Sequence, residues 1–134
     1  PMIITEFLAE DDYPKFREWL LEQDVETRQL YFGIAGNDHI IDSLMERVLA
    51  DKSNHHFLLA LDAGRWAGTI HIVTNNKTVE FGIIVHPDYR GRGFATQLIQ
   101  KACAELKKRG CLVAVLWSDQ KDFYFAIEMT CLLT

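Results

Sequence analysis

The stretch from Thr78 to Arg109 constrains the fold more than any other part of the chain. Residues 78–85 (TVEFGIIV) read as a strand, and Pro87 to Gly93 (PDYRGRG) read as a loop. From about Gly93 to Arg109, Phe94, Ala95, Leu98, Ile99, Ala102, Cys103 and Leu106 recur at helical spacing. Gly110 is a natural residue to end that helix. Residues 111–117 are apolar at every position, as in a strand covered on both faces. A strand, a glycine-bearing turn, a long amphipathic helix and a buried strand in succession specify a mixed α/β domain.

The upstream half fits the same class. Residues 2–8 read as a first strand. Asp11 and Asp12 precede Pro14, a helix-starting combination, and Tyr13, Phe16, Trp19 and Leu20 place a helix over 13–23. Residues 24–37 carry no clear apolar stripe, and Gly33 and Gly36-Asn37 break the chain. A second helix runs from Asp38 to about Ala50. Strands follow at 56–62 and 66–73, joined by a tight Asp62–Arg65 turn, and Asn75-Asn76-Lys77 turns into the strand at 78–85. The tail from Ser118 reads as a short helix and an apolar end. The expected order is strand, two helices, antiparallel meander, helix, strand. No repeat or linker divides it, so residues 1–134 read as one domain.

Composition narrows the partners. The net charge of −5 argues against general binding to nucleic acid; it suits cationic ligands such as amines, though many enzymes with neutral substrates are acidic too. The apolar run from Cys111 to Trp117 falls far short of the ~20 residues that span a bilayer, and Met2-Ile3-Ile4 has no basic flank of the signal-peptide kind. Cys103, Cys111 and Cys131 have no metal-type spacing and read as unpaired thiols, so the expectation is a cytoplasmic protein without a metal. Lys107-Lys108-Arg109 reads as cations complementing a helix C-terminus.

The chemistry concentrates between Val85 and Thr96. The backbone N–H groups at the start of the long helix have no partners inside it, and the positive end of the helix dipole lies behind them. Gly91 and Gly93 let the backbone approach a bulky anion, and Arg90 and Arg92 add charge. The arrangement suits a pyrophosphate. Neither GxxxxGK[ST] nor a GxGxxG directly after the strand is present. On physical grounds alone a solvated β–α turn stays open beside the anion cradle.

Arg90-Gly91-Arg92-Gly93-Phe94-Ala95 resembles R/Q-x-x-G-x-G/A, the acyl-CoA pyrophosphate loop of the GNAT N-acetyltransferase superfamily. The flanks are similar too: an E-h-G-h-h-V strand over Glu80 to Val85, then His-Pro-Asp-Tyr, then a helix with Leu98-Ile99. The likeness in element order extends over roughly residues 2–117. It implies a GNAT-like, mostly antiparallel central sheet flanked by helices, in which the strand at 78–85 splays from the strand at 111–117. Acetyl-CoA is the co-substrate this implies. Its pantetheine would pair with the backbone of Ile83, Ile84 and Val85. Its pyrophosphate would be wrapped by Arg90, Gly91, Arg92, Gly93, Phe94, Ala95 and Thr96, mostly through N–H groups.

The implied reaction is direct attack of a primary amine, from a small molecule or a peptide, on the thioester. Glu80 is the first candidate for general base, acting through a water, and His71 the second. His39, His55 and His56 read as surface residues. Relatives often place a tyrosine acid within N-x-x-A-x-x-x-Y on the helix after the 111–117 strand. Here Asp119 in the Asn place puts Asp122 at the Ala position and Ala126 at the Tyr position, whereas matching Phe123-Tyr124 to the family's aromatic pair puts Trp117 in the Asn place. Tyr124 is the candidate acid. The tail lacks the family's G-F and has room for at most one short further strand, so the C-terminal strands look truncated and a homodimer is the expected way to complete the sheet edge. Residues 26–32 resemble a segment that shapes the acceptor pocket in some members. The alternative is a GNAT-like module that binds acyl-CoA without transferring it.

Overall fold

The computed structural model describes residues 3–32, 38–75, 78–109 and 127–130. Strand β1 (Ile4–Phe7) leads through a 3-10 turn at Glu10–Asp12 into helices α1 (Tyr13–Leu21), α2 (Val25–Phe32) and α3 (Asp38–Ala50). A meander follows: β2 (His55–Asp62), β3 (Arg65–Asn75) and β4 (Thr78–Val85). Helix α4 (Phe94–Lys108) and a short β5 (Ile127–Thr130) complete the described elements. The strands form one sheet in the order β1-β2-β3-β4-β5, every neighbouring pair antiparallel.

The sheet buries both faces. Ile70, Ile72, Phe81, Ile83 and Val85 on one face pack with Phe94, Leu98, Ile99, Ala102 and Leu106 of α4. Phe57, Leu59, Trp66 and Ile84 on the other pack with Phe16, Trp19 and Leu20 of α1 and Ile41, Leu44 and Val48 of α3. Each helix supplies residues three and four apart, the stripe its sequence carries. The β2–β3 turn places Ala63 and Gly64 at φ 47° and 81°, the left-handed pair that a two-residue hairpin requires. At Gly68 on β3, an added Cβ would stand 2.9 Å from the Ile84 carbonyl oxygen, so a glycine allows β3 and β4 their spacing at this point.

Two features depart from the sequence reading. The segment after Glu22 is not irregular: α2 occupies Val25–Phe32. The Asp24 carboxylate accepts the Thr27 backbone N–H at 2.7 Å, so a side-chain cap starts a helix that apolar periodicity does not reveal. Second, His55 is not a surface residue; it is half-buried and bonded to His71. The one short strand for which the tail has room is β5, which among the described residues pairs with β4 over Thr78–Phe81. The strand expected at 111–117, and with it the splayed pair, lies outside the described residues, as does Tyr124.

Candidate functional site

The end of β4 is fixed from both sides. Ile83 and Val85 are buried toward α4, and Ile84 toward α1 and α3. The His86 N–H donates to the Ala67 carbonyl at 2.8 Å, holding the strand's exit to β3. The His86 ring then accepts from the Asp88 N–H at 3.2 Å and caps the 3-10 turn Pro87–Tyr89. Beyond it, Gly91 and Gly93 sit at φ 75° and 78°, in the left-handed region that side chains enter at a cost. Gly93 is the residue from which α4 starts, and the Gln97 N–H donates back to its carbonyl at 3.1 Å. The N–H groups of Phe94, Ala95 and Thr96 therefore point out of the helix with no acceptor inside it. Among the described residues, a Cβ built on Gly91 or Gly93 would meet nothing within 4 Å, so it is the left-handed backbone and not crowding that calls for glycine at both positions.

The loop's side chains divide the work. Phe94 is buried and stacks on Tyr89 with ring centroids 5.6 Å apart, anchoring the first turn of α4. Ala95 is partly buried against the α4 core, and Thr96 is exposed. The Arg92 guanidinium lies 5.3 Å from the Tyr89 ring centroid and the Arg65 guanidinium 5.8 Å, so two cations flank one aromatic ring beside the loop. Arg90 reaches elsewhere. Its Nε donates to the Val85 carbonyl at 3.2 Å, its Nη1 to Asp24 Oδ2 at 3.3 Å, and its Nη2 to Thr27 Oγ1. Burial alone would raise the Asp24 carboxyl pKa, but hydrogen bonds from Thr27 and the charge of Arg90 outweigh it and hold the group below the usual carboxylate range.

The face of β4 opposite α4 carries the titratable candidates. Side chains alternate along a strand, so Glu80 and Gly82 share a face with Ile84. Glu80 is exposed, and its cross-strand partners are Val73 on β3 and Glu128 on β5. His71 is opposite Gly82 on β3, two residues from the partner of Glu80. Its ring stacks on Phe57 at 4.2 Å, and its Nε2 is 2.9 Å from His55 Nδ1. Burial pushes the His71 pKa down to about 3, with the neighbouring His55 adding to the shift. His55 and His56 are shifted down as well, chiefly by burial. A ring held neutral in this way is a hydrogen-bonding partner, not a ready proton acceptor at neutral pH.

Beside the exit of β4, a groove of about 360 Å³ opens between α1 and the start of β3, lined by Lys15, Glu18, Trp19, Glu22, Trp66 and His86 among others. Trp19 Nε1 donates to the Trp66 carbonyl at 3.0 Å and closes its floor. At the end of α1 the buried Gln23 donates to the Trp19 carbonyl at 2.8 Å, while its Oε1 has no hydrogen-bond partner among the described residues. No described group of His, Cys, Asp and Glu could hold a metal ion, and no described helix is long and apolar enough to cross a membrane.

The structure thus brings Ile83–Val85 and Arg90–Thr96 into one continuous strand–loop–helix unit and sets Glu80 on the same strand. Sequence reasoning did not single out Asp24, carried Thr27 only within the 26–32 segment, and joined neither to Arg90. Their spacing is itself a helix-capping signal, but nothing in the sequence joins them to the loop.

The sequence profile of the acetyltransferase (GNAT) family matches residues 7–129. Among curated proteins no sequence matches the chain. Among solved structures, the fold is similar to the PaiA N-acetyltransferase of Thermoplasma acidophilum in complex with coenzyme A. The TM-score is 0.61 at 17% identity, over 97% of this chain and 99% of that one. It is also similar to the spermidine N-acetyltransferase of Vibrio cholerae in complex with CoA and spermine. There the TM-score is 0.56 at 14% identity, over 96% and 94% of the two chains.

Proposed function

The chain belongs to the GNAT acetyltransferase family, and from that premise we propose that it is an acetyl-CoA-dependent N-acetyltransferase acting on a primary amine. The observation that carries this reading is the start of α4: two left-handed glycines and outward-facing N–H groups at the positive end of a helix dipole. Acetyl-CoA, when bound, would supply a thioester-activated acetyl group. The residues present fit it: Gly91 and Gly93 hold left-handed backbone at the start of α4, and a Cβ built on either meets no described atom within 4 Å. The backbone of Ile83, Ile84 and Val85 would align the pantetheine. An N–H near Val85 would stabilise the developing oxyanion.

Glu80 is the proposed general base, drawing the proton from the amine through a water, and Tyr124 the proposed acid for the departing thiolate. The acceptor is read as a small cationic amine. The net charge of −5, the exposed Glu80, and the bound spermine of the Vibrio cholerae structure support that choice. A cytoplasmic homodimer goes with the proposal.

Calorimetric titration with acetyl-CoA and with CoA tests the loop, and thiol release with a panel of polyamines and other primary amines tests the transfer. Arg92→Glu with Gly93→Glu puts two carboxylates into the cradle and forces a side chain onto a left-handed residue. It is expected to weaken CoA binding by on the order of 100-fold. Unchanged binding would remove the cofactor assignment. Tyr124→Phe at full rate would remove Tyr124 as the acid.

A further inference from the structure

We propose that Arg90 is a positioning residue that couples coenzyme A at the loop to the docking of α2, the helix on the acceptor side. The inference rests on the cofactor reading above. It starts from where the guanidinium is engaged. Arg90 immediately precedes Gly91 in the loop, yet its three nitrogens bond the exit of β4 and the first turn of α2: the Val85 carbonyl, Asp24 Oδ2 and Thr27 Oγ1. One side chain spans from the cofactor strand to a helix more than sixty positions earlier in the chain.

The receiving end is built to depend on that contact. Asp24 gives one carboxylate oxygen to the Thr27 N–H, which starts α2, and the other to Arg90. Thr27 is 1% exposed, so its hydroxyl is buried where it meets the guanidinium. Arg28 closes the same turn through Nε to the Gln23 carbonyl at 3.0 Å. Helix α2 packs against β4, the strand that Arg90 also grips. The start of α2 is thus tied to the exit of β4 by an arginine whose own backbone belongs to the cofactor loop.

The other end of the strut is backbone that a ligand would immobilise. Arg90 is followed by two left-handed glycines on either side of Arg92, a turn with ample conformational freedom when nothing holds its N–H groups. A pyrophosphate bonded to those groups fixes the Arg90 backbone. It thereby lowers the conformational entropy lost when the guanidinium forks onto Thr27 and Asp24. Bound coenzyme and docked α2 then stabilise each other, and by linkage the effect is the same in both directions. The acceptor side would be completed only when the cofactor is present.

Amide hydrogen exchange over residues 25–32, with and without CoA, tests this on the full chain. Calorimetry on the same samples reports CoA binding, and thermal melts check folding. In the wild type, CoA is expected to slow exchange in α2 by on the order of 5-fold or more. Thr27→Val removes the hydroxyl at nearly constant shape. Asp24→Asn keeps a helix-capping side chain but removes the charge. Both are expected to bind CoA still, weakened by no more than the factor of protection lost, while CoA no longer slows exchange in α2. Arg90→Lys keeps a charge without the fork, and in it too CoA is expected no longer to slow exchange in α2. If CoA binds the wild type without slowing α2, or speeds its exchange, the coupling is overturned while the cofactor reading stands. Full protection in Thr27→Val and Asp24→Asn together overturns it as well. If the wild type does not bind CoA, the proposed function fails first and this inference with it.

Discussion

The two faces of β4 are built from different materials. Toward α4, Ile83 and Val85 disappear into the core, and the proposed binding groups at the strand's end are backbone: glycine φ angles and helix-start N–H groups. On the opposite face the candidates are side chains from different elements, Glu80 on β4 and His71 on β3, the latter bonded to His55 of β2. A backbone site tolerates many side chains but few changes of conformation. A side-chain site shows the reverse sensitivity. That difference predicts which substitutions damage binding and which damage chemistry.

Glu80→Gln should separate the two faces most sharply. It removes a proton acceptor from an exposed strand position without changing shape. The expected loss in kcat/KM is about 10²- to 10⁴-fold in a thiol-release assay, with CoA affinity by calorimetry unchanged. Loss of CoA binding instead would show that the faces are not independent.

Gly68→Ala attacks the backbone side by pressing on Ile84 and Val85 without changing either residue. The new methyl would stand 2.9 Å from the Ile84 carbonyl oxygen, which belongs to rigid backbone, so β3 and β4 must separate. A destabilisation of about 1–3 kcal/mol is expected in denaturant titrations, with weaker CoA binding because Ile84 and Val85 move. Wild-type stability and affinity together would mean that the strand exit is more compliant than its packing indicates.

The smallest effect is a pH slope. An unfolded histidine takes up a proton near pH 6.5, but folded His71 stays neutral down to about pH 3, held there by burial, with His55, His56 and Arg47 adding to the shift. Its folded pKa is depressed, so stability is highest above pH 6.5 and declines as pH falls toward 3, because only the unfolded chain gains the proton. His55 and His56, also shifted down, act in the same direction, and Asp51 opposes at His55. His71→Leu should flatten the decline between pH 6.5 and 4 by up to about 1.4 kcal/mol per pH unit, read from urea unfolding at several pH values. An equal slope in the variant would reassign the decline to other groups.

These contrasts also explain which parts were legible in the sequence. The hairpins of the meander, α1, α3 and the β4–loop–α4 unit all follow from apolar periods and glycines, properties written over a few consecutive residues. Helix α2 escaped that reading because its order comes from a cap at Asp24, not from a stripe of apolar residues. His55 resembles a surface residue at a loop edge until β2 and β3 pair and set its ring against His71.

The glycine turn and the helix start at Gly93 were therefore legible in the sequence, since a left-handed glycine and a helix start are local backbone chemistry. What only the tertiary structure decided is where Arg90 goes. Besides the nearby Val85 carbonyl, its partners Thr27 and Asp24 lie 63 and 66 residues away, and a contact across that separation leaves no periodicity, spacing or composition for a sequence to display. The sequence determined a glycine-bearing turn into a helix. The packing of α2 on β4 determined that the loop's first arginine serves the helix opposite.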